Sequence, residues 1–149
     1  MWPSRAGRSF TLVELMVVIA VLAVLSSLAV GNYRNYKFKA ARAELLTNVS
    51  GIRVAQQAYE AALGVYVTDL TPRPDATPGK AKRPWVTGTV FDTIAWLPDG
   101  EVFGSYTTED LGIDFAANGY TDVDTDAVMA HVTGSLSTIP FLATPDAVF

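Results

Sequence analysis

The chain has 149 residues, half of them apolar, a formal net charge of −4 and no cysteine. That length suits one domain of ordinary size with an extension, and the lack of cysteine excludes disulfides and thiolate chemistry. The charge is segregated: all eleven lysines and arginines lie at or before Arg83, and ten carboxylates follow, from Asp92 to Asp146. An acidic surface of this kind repels phosphate, which disfavours nucleic-acid binding by the C-terminal half.

Residues 1–9, MWPSRAGRS, form a short basic leader ahead of an apolar run. Between Leu12 and Val30 the only charge is Glu14, and the only other polar residues are Ser26 and Ser27. Nineteen helical residues rise about 28 Å, close to the roughly 30 Å thickness of a bilayer's hydrocarbon. A bare carboxylate in such a run is costly and calls for a partner. Beyond Val30 the helical period continues. Phe38, Leu45, Val49, Ile52, Tyr59 and Leu63 share one face, and most charged residues lie elsewhere, which predicts an amphipathic helix. No proline interrupts the chain between Pro3 and Pro72. The expectation is a single helix from Phe10 to Leu63, about 80 Å long if continuous. Gly31 and Gly51 are points where it could bend, and Gly64 is its stop. A small domain would cover only the second half, leaving the first half for lipid or for other copies.

Residues 69–88 hold four prolines and two glycines and read as a loop. FDTIAWL (91–97) and EVFGSYTT (101–108) read as a hairpin around Pro98-Asp99-Gly100. IDFAA (113–117) is a third strand, AVMAHVT (127–133) a fourth, and the tail supplies a short edge strand at most. The resulting organisation is a leader (1–9), a transmembrane or assembly helix (10–31), an amphipathic helix (32–66), a loop (67–90) and an antiparallel sheet head (91–149). The fold class is α+β.

The helix start, Phe10-Thr11-Leu12-Val13-Glu14-Leu15, resembles the N-terminus of type IV pilins and pseudopilins. Tyr33, Tyr36 and Lys39 match positions where many pilins have two tyrosines and a basic residue, and Ala58-Tyr59-Glu60 through Gly64-Val65-Tyr66 is similar to the helix end of many members. The resemblance is strong over residues 8–39, fair to about residue 66 and weak beyond. It implies a pilin-like fold and a leader removed by prepilin peptidase on the cytoplasmic side. It also implies N-methylation of the new first residue, here Phe10, and pairing of its ammonium with Glu14 of a neighbouring subunit. Ser9 stands where the family nearly always has glycine. A cut after Gly7 would make Glu14 the seventh residue and break its register with Phe10, so the cut is expected between Ser9 and Phe10. The implied partners are other pilin subunits, prepilin peptidase, an assembly platform and the inner membrane, before export to a surface filament.

Other features carry two readings. Asp122, Asp124 and Asp126 alternate as ligands of a calcium ion do, yet Ala127 and Thr133 replace the glycine and glutamate of an EF-hand, so the choice is a calcium clip or a solvated acidic loop. Arg34, Lys37, Lys39 and Arg42 suit lipid phosphates, acidic heads of neighbouring copies, or solvent. Ala23 and Ser27 form a small-xxx-small pair. His131 reads as a half-exposed structural residue, and Asn48-Val49-Ser50 is a glycosylation sequon by pattern alone. The sequence has no nucleophile motif and no phosphate loop, so an enzyme is not expected. The rivals are a secreted acidic binding protein cut at Ala29-Val30-Gly31, a permanently anchored receptor, and a pseudopilin of a type II secretion system.

Overall fold

A computed structural model describes residues 10–76 and 79–145; the leader, with Ser9, lies outside the described residues. The elements in chain order are α1 (Leu12–Leu63), β1 (Asp69–Arg73), α2 (Val90–Thr93), β2 (Ser105–Asp110), β3 (Phe115–Thr121), β4 (Ala130–Gly134) and β5 (Phe141–Leu142). The chain divides into two compact units between Tyr36 and Lys37. In the first unit, every described residue from Phe10 to Tyr36 is exposed. The second unit holds the rest of α1 and an antiparallel five-stranded sheet in simple sequential order, β1 to β5. The architecture is therefore the α+β one expected.

Within the second unit α1 buries Ala41, Leu45, Val49, Ile52 and Gln56, spaced four, four, three and four residues apart. That spacing keeps one face against the sheet. The predicted stripe holds at its centre and fails at its end. Tyr59 is only partly buried against the core, and Leu63 is 62 % exposed because α1 stops there. Gly64 ends the helix as expected: its φ is +75°, and its N–H closes on the Glu60 carbonyl at 2.7 Å. Gly51 differs from the expectation of a bend. The helix runs through it, and a Cβ there would lie 2.5 Å from Trp96 Nε1, so the glycine makes room for an indole.

Gln56 is fully buried in this apolar face, and its amide is saturated. Nε2 donates to the Val67 carbonyl and the Thr108 hydroxyl, both at 2.6 Å, and Oε1 accepts the Val67 N–H at 3.0 Å. The amide thereby replaces backbone partners that the chain leaving α1 would otherwise lack. Nearby, Asn48 donates to the hydroxyl of buried Tyr106 at 2.7 Å, and burial pushes that phenol's pKa well above its ordinary value.

The sheet departs from the predicted strands in two places. Segment 91–97 is not a strand. The Asp92 carboxylate accepts the Gly88 and Thr89 N–H groups and starts the helical turn α2 instead. Phe91, Ile94 and Trp96 are then all buried in the core, three and two residues apart, a spacing that a regular strand could not place on one face. The proposed hairpin around Pro98 is consequently absent, and β2 begins only at Ser105. Conversely, the proline-rich stretch taken as a loop opens with β1, so the sheet starts before residue 91. Pro72 is tolerated because β1 is an edge strand, where a missing N–H breaks no interior ladder. The predicted third and fourth strands are β3 and β4, and the short edge strand is β5.

Two side chains fasten the long connections. Arg83 pairs its backbone with Val102, and its guanidinium donates to the Phe103 and Gly104 carbonyls and to Ser105 Oγ, while also pairing with Asp75. Asp114 joins two turns at one end of the sheet. Its carboxylate accepts the Phe115 and Leu136 N–H groups at 2.7 and 2.8 Å and the Ser137 hydroxyl at 3.0 Å. Arg53 of α1 reaches the same corner, donating to the Ser135 and Leu136 carbonyls. Burial raises the Asp114 pKa, but those hydrogen bonds outweigh it and hold the carboxyl below the usual range.

Two outcomes follow. Gly51→Ala should lower thermal stability by about 1–3 kcal/mol through overpacking against Trp96, although alanine favours an isolated helix by about 1 kcal/mol; a rise in Tm would contradict that packing. The Asp114 contribution is present above its unfolded pKa and is lost as pH falls through its lower folded pKa. Asp114→Asn should therefore reduce Tm at neutral pH and shrink the Tm loss of the wild-type chain below about pH 4, read by parallel melts of both proteins.

Candidate assembly site

The first turn of α1 gives Glu14 a local partner. Glu14 Oε2 accepts both the Thr11 N–H and the Thr11 hydroxyl at 2.8 Å, and Thr11 Oγ1 accepts the Glu14 N–H at 3.2 Å. This is a reciprocal capping box, which satisfies orphan donors at a helix start. Glu14 is therefore not the bare carboxylate expected from the apolar run. The signal was available in Thr11-Leu12-Val13-Glu14, a T-x-x-E spacing before an apolar run. The box engages one carboxylate oxygen and leaves Oε1 without a hydrogen-bond partner among the described residues.

Around Glu14 the surface is apolar and uncovered. Phe10 is 77 % exposed, and α1 contains a window of mean hydropathy 2.6, long and apolar enough to cross a membrane, with none of it buried. Of the small-residue pair, Ser27 donates its hydroxyl to the Val24 carbonyl at 2.7 Å, so it is satisfied within its own helix. Arg34, Lys37 and Lys39 are exposed, whereas Arg42 is partly buried.

The head brings together three other residues singled out from sequence. Asp122, Asp124 and Asp126 each place a carboxylate oxygen within 4.8 Å of the others. Their loop carries positive φ at Thr125 (61°) and Ala127 (67°), so Ala127 adopts the turn a glycine would take more easily. Burial, then the charge of Asp126, raises the Asp124 pKa, so the cluster takes up a proton more readily than free aspartate would. His131 is half-buried. Its Nε2 lies 3.0 Å from Asn118 Oδ1, its ring stacks on Tyr120 at 4.6 Å, and burial lowers its pKa. Asn48, the sequon residue, spends its amide on Tyr106.

Comparison with known proteins is informative over the N-terminal half. Residues 4–30 match the prokaryotic N-terminal methylation motif. The chain is 33 % identical over 53 residues to the type IV major pilin protein PilA of Myxococcus xanthus, which is 36 % of this chain and 24 % of the relative. It is 46 % identical over 48 residues to prepilin peptidase-dependent protein D of Escherichia coli, 32 % of this chain and 33 % of the relative. It is 36 % identical over 75 residues to type II secretion system core protein G of Klebsiella michiganensis, 50 % of this chain and 48 % of the relative. The chain thus spans between about a quarter and a half of the length of these relatives. No solved structure matches.

The aspartate cluster generates a direct check. Calcium at about 1 mM should leave the Tm of the purified protein within about 2 °C of its value in chelator. A larger rise that Asp124→Asn abolishes would instead make the cluster a calcium clip.

Proposed function

We propose that this chain, whose N-terminal region is that of the type IV pilin and pseudopilin family, is a structural subunit of a pilus-like filament, made as a membrane-held precursor. Prepilin peptidase cuts the leader between Ser9 and Phe10 and the new amine is methylated. The apolar part of α1 holds the subunit in the inner membrane, and an assembly platform moves it into a filament at the cell surface. One observation carries this reading: an apolar helix surface from Phe10 to Tyr36, wholly exposed and containing one carboxylate at its start. Such a surface is stable only in lipid or among like helices, and moving between the two costs little because both are apolar.

In this mechanism Thr11 and Glu14 act as a unit. Thr11 holds Oε2, so Glu14 presents Oε1 in a defined direction. The cationic amine of a neighbouring Phe10 takes that position. Removing one member of a buried ion pair costs about 3–5 kcal/mol, because the other is left uncompensated. Glu14 therefore penalises wrong axial register more than it adds affinity. The subunit takes no cofactor and performs no catalysis. The same residues serve a pseudopilin of a type II secretion system, and the long match to core protein G keeps that role as the second reading.

The test is filament yield in sheared surface material from cells making each variant. Glu14→Val should leave a trimmed, membrane-held subunit and lower surface filament by more than about tenfold. Thr11→Val, which removes the hydroxyl's bond to Glu14 Oε2 and the cap on the Glu14 N–H but leaves the ion-pairing carboxylate, should give a smaller loss. Full yield from Glu14→Val would overturn the pairing role.

A further inference from the structure

Beside α1 lies a groove of about 220 Å³ whose lining includes Glu44 and Asn48 of the helix and Pro98, Asp99, Glu101 and Val102 of the segment before β2. Its charges are not equivalent. Glu44 is committed within its own chain: Oε1 accepts the Phe103 N–H at 2.8 Å, and Oε2 pairs with Lys82 at 3.0 Å. Asp99 and Glu101 are exposed, and no ion pair engages them among the described residues. Pro98 and Val102 add apolar lining, and Lys82 Nζ donates to the Glu101 carbonyl at 3.2 Å, leaving the Glu101 carboxylate outside that bond.

This combination selects an occupant. An anion is repelled. A metal ion needs carboxylates converging on one point, as those of Asp122, Asp124 and Asp126 do, and the groove's carboxylates form no such group among the described residues. Apolar lining beside exposed carboxylates suits a lysine, whose methylenes lie on carbon while its ammonium meets the charge. Lys37 and Lys39 are exposed, lie on the same helix, and have no salt bridge among the described residues. They cannot fill the groove of their own chain. Lys37 precedes Glu44 by seven residues and Asn48 by eleven, which is about 10–16 Å along the helix.

We infer that the groove at Asp99 and Glu101 receives the Lys37–Lys39 segment of a second copy of this chain, displaced by that distance along the helix. This rests on the filament reading, and it extends the same helix surface that the reading buries between copies. The contact is charge-complementary and sits at the rim of the apolar packing. It therefore sets stagger and partner choice more than overall affinity.

The test uses the full chain in cells that assemble it, and the absence of native cysteine makes introduced ones unambiguous. A lysine–carboxylate contact holds backbones further apart than the roughly 7 Å a disulfide spans, so a bis-maleimide about as long as lysine is the linker. Sheared filaments of the double variant Lys37→Cys/Asp99→Cys should give a ladder of linked dimers and larger species, and each single variant should give none. Filaments without a ladder overturn the inference and leave the filament reading standing. No filament from the wild-type chain overturns the reading and the inference together. If the double variant does not assemble, charge exchange decides. Lys37→Asp and Asp99→Lys should each lower filament yield several-fold, and combining them should restore it; no restoration overturns the inference.

Discussion

The structure depends on an imbalance between the two halves of one helix. From Lys37 onward, α1 has a sheet to lie on, and its buried residues recur every three or four positions. From Phe10 to Tyr36 every residue is exposed among the described residues, although this is the most apolar part of the chain. Water is a poor solvent for that surface, and the described residues leave it exposed. The proposed function supplies an external cover: a bilayer first, then other copies. The capping box at Thr11 and Glu14 lets the helix begin with its end donors satisfied even where water is scarce.

The second unit is held by polar groups as much as by its apolar core. Gln56 carries the chain out of α1, Asn48 orients Tyr106, and Arg53 meets the corner that Asp114 staples. These contacts join residues far apart in sequence. They fix how the strands lie against the helix, while Phe91, Trp96, Tyr106 and Phe115 fill the space between. The surface left outside carries the acidic residues that distinguish the head from the basic segment around Lys37.

How much of this was legible in the sequence varied with the length of the signal. The helix was readable because its period persists for about seven turns, from Phe38 to Leu63, and Gly64 marked its end. The meander of β2, β3 and β4 was readable in outline from short apolar runs separated by turn residues. The α2 turn carries little periodic signal, because Phe91, Ile94 and Trp96 are three and two residues apart and fit neither period cleanly over so few positions. β1 was hidden by Pro72, which an edge strand accepts. Gln56 could not be recognised as a core residue, since its burial depends on Val67 and Thr108 meeting its amide. At the candidate assembly site Phe10 and Glu14 stand out in the sequence, while Thr11 is marked only by its three-residue spacing from Glu14.

The most direct measurement is the intact mass and N-terminal sequence of the protein from sheared surface material and from membranes. The account predicts a chain beginning at methylated Phe10 in the sheared fraction, despite the serine before it. A chain beginning at Asn32, or an intact leader found only in membranes, would contradict it.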